Sequence, residues 1–153
     1  MPQFTASRGA VSGVTSAATT DLIIVEAGAS RLLKIIEAAW GGEATTTTAM
    51  RTRLALASTA GTSITGTVDV VKQSPATDPT AAFTTGTSST SPTYAAGSMI
   101  PFSSWNSHGG IVRWLAGPGE EFQLIQAVTG GKQAALRNEV GAATITCGLV
   151  VVE

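Results

Sequence analysis

Residues 109–153, GGIVRWLAGPGEEFQLIQAVTGGKQAALRNEVGAATITCGLVVVE, decide the fold. Short runs rich in β-branched and aromatic residues, such as IVRWLA and TITCGLVVV, are separated at close intervals by Gly and Pro. Antiparallel strands joined by tight turns have this pattern. The stretch therefore predicts several strands of an antiparallel sheet, which the remainder of the chain must complete.

The size and charge of the chain narrow the class of protein. Its 153 residues are enough for one domain with its own core. Only 12% of them are charged and the formal net charge is −1, so little repulsion keeps free monomers apart. This composition suggests a protein that is part of an assembly.

The nine basic residues are scattered, which argues against nucleic acid as a partner. No apolar run approaches the roughly 18 residues of a membrane span, and the N-terminus does not resemble a signal peptide, so no membrane partner is expected.

Further strands are predicted upstream at residues 21–27, 49–57 and 64–72. The second of these has a period of two, with charges on one side, which is typical of a half-exposed strand. One face is predicted to carry Arg51, Arg53 and Ala55, and the other Met50, Thr52, Leu54 and Leu56.

Residues 31–40, RLLKIIEAAW, fit two structures. Arg31, Lys34 and Glu37 recur at every third position, as on an amphipathic helix. The short length, the Gly-Gly stop that follows and the strand-like runs on both sides favour a strand that is largely apolar on both faces. We predict a strand and keep the helix as the alternative.

The number and spacing of these runs predict the fold class. About eight to ten short strands without a βαβ rhythm indicate an all-β protein, an antiparallel β-sandwich of jelly-roll-like type. Residues 1–20 are small and polar with scattered apolar positions, and we expect an N-terminal arm or edge strand that orders only against another surface. Residues 21–153 are expected to form a single β-sandwich domain.

Residues that carry catalytic or metal chemistry are sparse. His108 lies in a Ser- and Gly-rich loop, where a surface or turn-capping role is favoured over pairing with a serine nucleophile. Glu120 and Glu121 follow a Gly-Pro-Gly turn, where exposed charge is expected rather than an acid–base pair or a cation site. Cys147, the only cysteine, is predicted to be a small core residue, and one His with one Cys cannot form a structural zinc site. We therefore expect no enzyme, no metal and no cofactor.

The three tryptophans are the other notable side chains. Trp40 and Trp114 lie within strand-like runs and are predicted to be in the core. Trp105 lies in a loop of Ser and Asn, which leaves three roles open. It could close one end of the sandwich, anchor an interface, or stack on a sugar beside Asn106 and His108.

Several segments resemble small structural proteins of tailed bacteriophages that decorate or cement the capsid and have a jelly-roll or related β-sandwich fold. The likeness is spread over most of the chain. It lies in the N-terminal segment leading to residues 18–23 (ATTDLI), in residues 28–35 (GASRLLKI), in the loop at 75–79, and in the closing order of residues 113–114 (RW), 118–120 (PGE) and 136–138 (LRN).

The resemblance implies a structural virion protein without turnover. It would bind neighbouring subunits of the major capsid protein, self-associate as a homo-oligomer with a trimer favoured, and lie on the capsid surface of the virion after synthesis in the host cytoplasm. The N-terminal arm would then act as a strap on a neighbouring subunit. The expected interface residues are Phe4, Arg8, Val11, Tyr94, Trp105 and His108.

Two other functions remain open. The same sandwich also fits a phage tail, fibre or baseplate component, or a receptor-binding protein in which the loops around Trp105 contact host glycans. An esterase that uses His108 is the third hypothesis.

Overall fold

The computed structural model describes residues 2–11, 20–29, 31–42, 45–73, 80–90, 92–100, 104–125 and 132–153; for residues 9–11, 88–89 and 95–100 it describes the backbone alone. Two antiparallel sheets pack face to face, which confirms the predicted all-β sandwich. The strands are β1 (Gln3–Val11), β2 (Thr20–Glu26), β3 (Leu32–Gly42), β4 (Ala49–Thr59), β5 (Thr62–Thr65), β6 (Asp69–Lys72), β7 (Thr84–Gly86), β8 (Ser88–Thr90), β9 (Thr93–Ile100), β10 (Ser104–Asn106), β11 (Ile111–Leu115), β12 (Phe122–Ile125), β13 (Gln133–Val140) and β14 (Ile145–Val152).

The strand order joins distant parts of the chain. In sheet A the order is β11-β3-β14-β1-β6, and β12 also pairs with β3. In sheet B the order is β10-β4-β13-β2-β7, and β9 also pairs with β4. A small sheet consists of β5 and β8. The closing stretch that decided the fold therefore supplies strands to both large sheets, and β13 and β14 lie in their interiors.

The ambiguous segment after Arg31 is strand β3, as predicted. Its inward side chains include Ile35, Ala38 and Trp40. The register against β14 shifts between Val150 and Val151, so that two residues of β3 separate Ile35 from Ala38. A β-bulge of this kind changes the phase of the alternation. It explains why a strand shows the three-residue period of a helix.

Strand β1 corrects the expectation of an arm or edge strand at the N-terminus. It pairs with β14 on one side and with β6 on the other, so residues 4–7 lie in the interior of sheet A. Phe4 and Ala6 are fully buried, and the ring of Phe4 meets the ring of Phe83 edge to face with centroids 5.4 Å apart. The remainder of the predicted arm, residues 12–19, lies outside the described residues.

The inward side of strand β4 agrees with the predicted alternation, but its outward side is more buried than expected. Met50 and Leu54 point inward as predicted, and Leu56 packs against the core. Ala55 was assigned to the half-exposed side, yet it is fully buried. The outward side of sheet B is covered at this position, which the alternation of a single strand does not show.

The core between the sheets contains the predicted aromatic and thiol groups. Trp40 is buried and Cys147 is 4% exposed, which confirms both as core residues. Trp114 is half-buried and packs on the edge of the same cluster. Burial of large apolar side chains of this kind contributes about 1.5–3 kcal/mol each.

Candidate functional site

The outer face of sheet A is the side turned away from sheet B, and the strand register orders its side chains in rows. Because alternate side chains of a strand point to opposite sides, the neighbours of the buried Trp40 and Cys147 point outward. One row across the sheet consists of Arg113, Ala39, Gly148, Ser7 and Asp69. The next row consists of Leu115, Glu37, Val150, Thr5 and Val71.

Large apolar side chains flank a strip of small residues on this face. Ile111 is 79% exposed, Leu115 62% and Val71 57%. Beside Ile111, a groove of about 470 Å³ is also lined by Ala39, Gly41 and Gly148 among others. Large exposed apolar side chains that share one face are a mark of interaction sites on soluble proteins. The outer face of sheet A is therefore the candidate functional site.

The charges on the outer face of sheet A are few. Arg113 donates from Nε to Glu37 Oε1 at 2.6 Å and from Nη2 to Glu37 Oε2 at 2.8 Å. These hydrogen bonds raise the pKa of the Arg113 guanidinium, and the pair is self-neutralising. Asp69, at the other end of the same row, is exposed and forms no ion pair with any residue that the structure describes.

The outer face of sheet B is different, because its Arg137–Asp21 pair is largely buried, with both side chains 12% exposed. Arg137 Nε lies 3.2 Å from Asp21 Oδ1, and the Tyr94 hydroxyl donates to Asp21 Oδ2 at 3.1 Å. The guanidinium carbon of Arg137 lies 3.8 Å from the centre of the Tyr94 ring. Burial raises the pKa of Asp21, while Arg137 and the Tyr94 hydrogen bond act in the opposite direction. Burial and the Asp21 carboxylate raise the pKa of Tyr94.

The segment around β5 lies against another part of the outer face of sheet B. The Gly61 N–H donates to Gln133 Oε1 at 2.9 Å, and Gln133 Nε2 donates to Glu26 Oε2 at 3.3 Å. Ile64 approaches Gly86 so closely that a Cβ on this glycine would lie 2.4 Å from Ile64 Cγ2. Gln133 is consequently fully buried although it lies on an outward side.

Trp105 lies in strand β10 at the edge of sheet B rather than in a loop as expected, and its side chain belongs to the core cluster. The residue is 8% exposed, and Nε1 donates to Thr52 Oγ1 at 3.0 Å. The Thr52 hydroxyl donates in turn to Asn138 Oδ1 at 3.2 Å, and Asn138 Nδ2 donates to the Gly141 carbonyl at 3.1 Å. Of the three roles left open for Trp105, its burial is compatible with a structural plug, here on an edge strand. A buried ring with its N–H engaged does not offer a stacking surface to a sugar.

The other predicted interface residues do not come together. Phe4 is in the core, and Arg8 is half-buried with Nη1 donating to the Leu22 carbonyl at 3.1 Å. Val11 pairs with Ile145 through its backbone, and its side chain lies outside the described part. Tyr94 belongs to the outer face of sheet B. His108 is exposed in a turn, where its backbone N–H donates to Asn106 Oδ1 at 2.9 Å.

Chemically reactive groups are not concentrated on either outer face. Cys147 lies beneath the groove, where burial raises the pKa of its thiol to about 12 although Arg8 acts to lower it. A buried thiol with this pKa is protonated at neutral pH. Within the described ranges, no three His, Cys, Asp or Glu side chains are placed to hold a metal ion together. In the same ranges no helix has the length and apolar character needed to cross a membrane.

Comparison with known proteins does not add a relative. The sequence matches no protein-family model, and neither curated proteins nor solved structures give a significant match.

The residues of the outer face of sheet A were missed as site residues by the sequence reasoning. The alternation of Ile111, Arg113 and Leu115 with Val112 and Trp114 was a usable signal, because it places large apolar side chains on both sides of one strand. The small residues on β3 and β14 join this site only through the register of the sheet.

Proposed function

We propose that this protein is a structural virion protein that decorates and cements a bacteriophage capsid by binding neighbouring subunits of the major capsid protein. The observation that carries the proposal is the outer face of sheet A, where large apolar side chains are exposed around a strip of small residues. A protein with few charges and such a face is suited to close packing within an assembly. The resemblance to phage decoration proteins suggests that this assembly is a phage capsid.

Multivalent attachment explains how weak contacts could stabilise a shell. A standard interface buries about 1,600 Å² in total, and its affinity depends on anchors rather than on area. An oligomer that engages several lattice sites at once gains affinity through effective concentration. The proposed protein would therefore bind a shell tightly as an oligomer and weakly as a monomer.

The structure changes which part of the chain is offered for attachment. Residues 4–7 were expected to be part of a strap, but they are an interior strand with Phe4 and Ala6 in the core. Deleting them would remove a strand of sheet A and expose the core. Attachment is therefore better tested with substitutions on the outer face of sheet A.

The test uses particles that lack this protein. Adding the purified chain should raise the temperature at which the particles release DNA, and cryo-EM should show it on the shell. Leu115→Glu places a charge on the outer face of sheet A and should reduce occupancy, while Thr67→Glu, in an exposed turn, should bind like the parent chain. Unchanged heat stability of the particles with and without the protein would contradict the proposal.

The same particles separate the shell from the tail. Cryo-EM density confined to the tail, with few copies per particle by quantitative mass spectrometry, would favour the tail, fibre or baseplate function instead. The buried ring of Trp105 makes a glycan site on that side chain unsuitable, so a receptor-binding role would need another surface.

A further inference from the structure

We infer that the outer face of sheet A packs against the same face of a second copy of this chain, across a two-fold axis that runs close to β14. The inference rests on the proposed function only in taking this face to be covered in the assembled state. The partner that it names for this face is a second copy, so the dimer would meet the shell with its other surfaces. A charge at Leu115 would then lower occupancy on the shell by weakening the oligomer, which binds more tightly than the monomer.

The position of β14 makes the face complementary to itself. In the order β11-β3-β14-β1-β6, β14 is the middle strand, so a rotation of 180° about its direction places β11 of one copy over β6 of the other. The rotation keeps each row opposite itself. In the first row Arg113 then faces Asp69 of the second copy, and in the next row Leu115 faces Val71 of the second copy.

The two-fold rotation brings opposite charges together in the first row and apolar side chains together in the second row. Asp69, which has no ion pair among the described residues, meets the guanidinium of Arg113. Arg113 keeps its hydrogen bonds to Glu37, so neither the cation nor the anion is left without a partner. Leu115 and Val71, both largely exposed in the single chain, cover one another.

The middle of the face allows two sheets to approach. Ala39, Gly148 and Ser7 stand between the charged ends of the first row. A Cβ on Gly148 would have only Ala6 O at 3.6 Å and Ser7 Cβ at 3.9 Å as near neighbours, which are ordinary contacts, so a side chain at this position has room. Facing sheets in sandwiches pack with strand directions within about 30° of each other, which a two-fold axis close to β14 satisfies.

The area is adequate for a stable contact. Five strands spaced at about 4.8 Å with an eight-residue central strand cover about 24 Å by 27 Å, or roughly 650 Å². This is close to the 800 Å² or so that each partner contributes to a standard interface. A patch that meets its own copy requires a two-fold axis. The trimer implied by the family resemblance would need a different surface.

The first test measures self-association of the purified full chain by sedimentation velocity over a range of concentrations. The parent chain should form a dimer. Gly148→Arg places two long cations at the axis and should weaken dimerisation by at least about tenfold. Gly109→Arg is the matched control, because a Cβ on Gly109 has nothing within 4 Å and the turn lies beyond the strands of the face. Equal thermal unfolding at low concentration shows that both variants fold.

The second test reverses the proposed charge contact. Every chain carries Glu37→Gln, so that no variant gains or loses an intramolecular ion pair between residues 37 and 113. Asp69→Arg should weaken the dimer because two cations then face one another. Adding Arg113→Asp to Asp69→Arg should restore much of the lost affinity. Failure of the double variant to recover would overturn the proposed register.

A parent chain that stays monomeric, or a Gly148→Arg variant that dimerises like Gly109→Arg, would overturn the dimer. Failure of the dimer and failure of the capsid proposal are separable. A monomeric chain that still raises the heat stability of particles would overturn this inference alone. A dimeric chain that leaves particles unprotected would overturn the decoration proposal and support the two-fold contact.

Discussion

The outer faces of the two sheets are built from the same alternation of side chains, but the chain treats them differently. On the outer face of sheet B, Asp21 and Arg137 pair beneath Tyr94, and the segment of β5 covers Gln133. On the outer face of sheet A, Ile111 and other apolar side chains remain exposed. The comparison shows that a face covered by its own chain contributes to stability, whereas a bare apolar face is available to a partner.

The largest difference is expected for the arginines of the two faces. Arg137→Leu leaves the half-buried Asp21 carboxylate without its cation and removes the contact with the Tyr94 ring. We expect a loss of about 3 kcal/mol in the free energy of unfolding, measured by urea denaturation. Arg113→Leu is the matched control on sheet A, where the pair with Glu37 is exposed, and its unfolding midpoint should not change measurably. Equal losses for the two variants would contradict the comparison.

A smaller difference in the free energy of unfolding is expected between substitutions of Gly86 on sheet B and Gly148 on sheet A. In Gly86→Ala the new Cβ would lie 2.4 Å from Ile64 Cγ2 and 2.6 Å from the Thr65 carbonyl, so the covering segment must shift. Overpacking of this kind should lower the free energy of unfolding by about 2 kcal/mol. Gly148→Ala makes only ordinary contacts, and a side chain favours a strand over glycine. In thermal unfolding, the midpoint of Gly148→Ala should be at or above that of the parent chain, and the midpoint of Gly86→Ala should be below it. A lower midpoint for Gly148→Ala than for Gly86→Ala would show that sheet A is the more tightly covered side.

The buried carboxylate on sheet B should also be visible in the pH dependence of stability. Burial raises the pKa of Asp21 above 3.8, so the folded chain binds this proton more tightly than the unfolded chain. The contribution of this group to the free energy of unfolding therefore increases as the pH falls through the raised pKa toward 3.8, and decreases as the pH rises through it.

Asp21→Asn should remove the pH-dependent contribution of Asp21 to the free energy of unfolding. Urea denaturation of the variant and the parent at a series of pH values should give a stability difference that changes with pH only in this window. A difference that is constant with pH would show that the pKa of Asp21 is the same in the folded and unfolded chain.

The smallest effect is expected for the exposed apolar side chains of sheet A. Ile111→Thr should change the free energy of unfolding of the monomer by less than about 0.5 kcal/mol, because Ile111 is 79% exposed. Ile24→Thr is the matched control, since Ile24 is fully buried in sheet B, and it should be clearly more destabilising. Chemical denaturation at low protein concentration measures both. A large loss for Ile111→Thr would mean that the outer face of sheet A is covered within the single chain.

Sequence reasoning performed best where the signal is local. The strand assignments of β3 and β14 and the burial of Trp40 and Cys147 follow from alternation, turn residues and apolar content within a few positions. The N-terminal segment was misjudged because its Thr and Ser residues hide a short alternation of Phe4 and Ala6. Its strand partners lie near the C-terminus and at residues 69–72, far beyond any local window.

The candidate site was predicted less well than the fold. Tyr94 was singled out, but its partner Asp21 lies 73 residues away in sequence, and no pattern links the two. Trp105 is buried, as the plug alternative required, but it lies in edge strand β10 rather than in a loop. The rows of the outer face of sheet A combine residues from β11, β3, β14, β1 and β6, and only their register aligns them.

The amino-acid sequence by itself determined that this protein is a β-sandwich, because the alternation of side chains and the turn-forming residues act over a few positions. The tertiary structure alone decided which outward side is covered and which stays bare. That outcome depends on where distant segments such as β5, β8 and β9 lie, and the free energy of covering a face arises from contacts between residues far apart in the chain. An exposed isoleucine at 111 and a buried one at 24 are therefore alike in sequence and opposite in role.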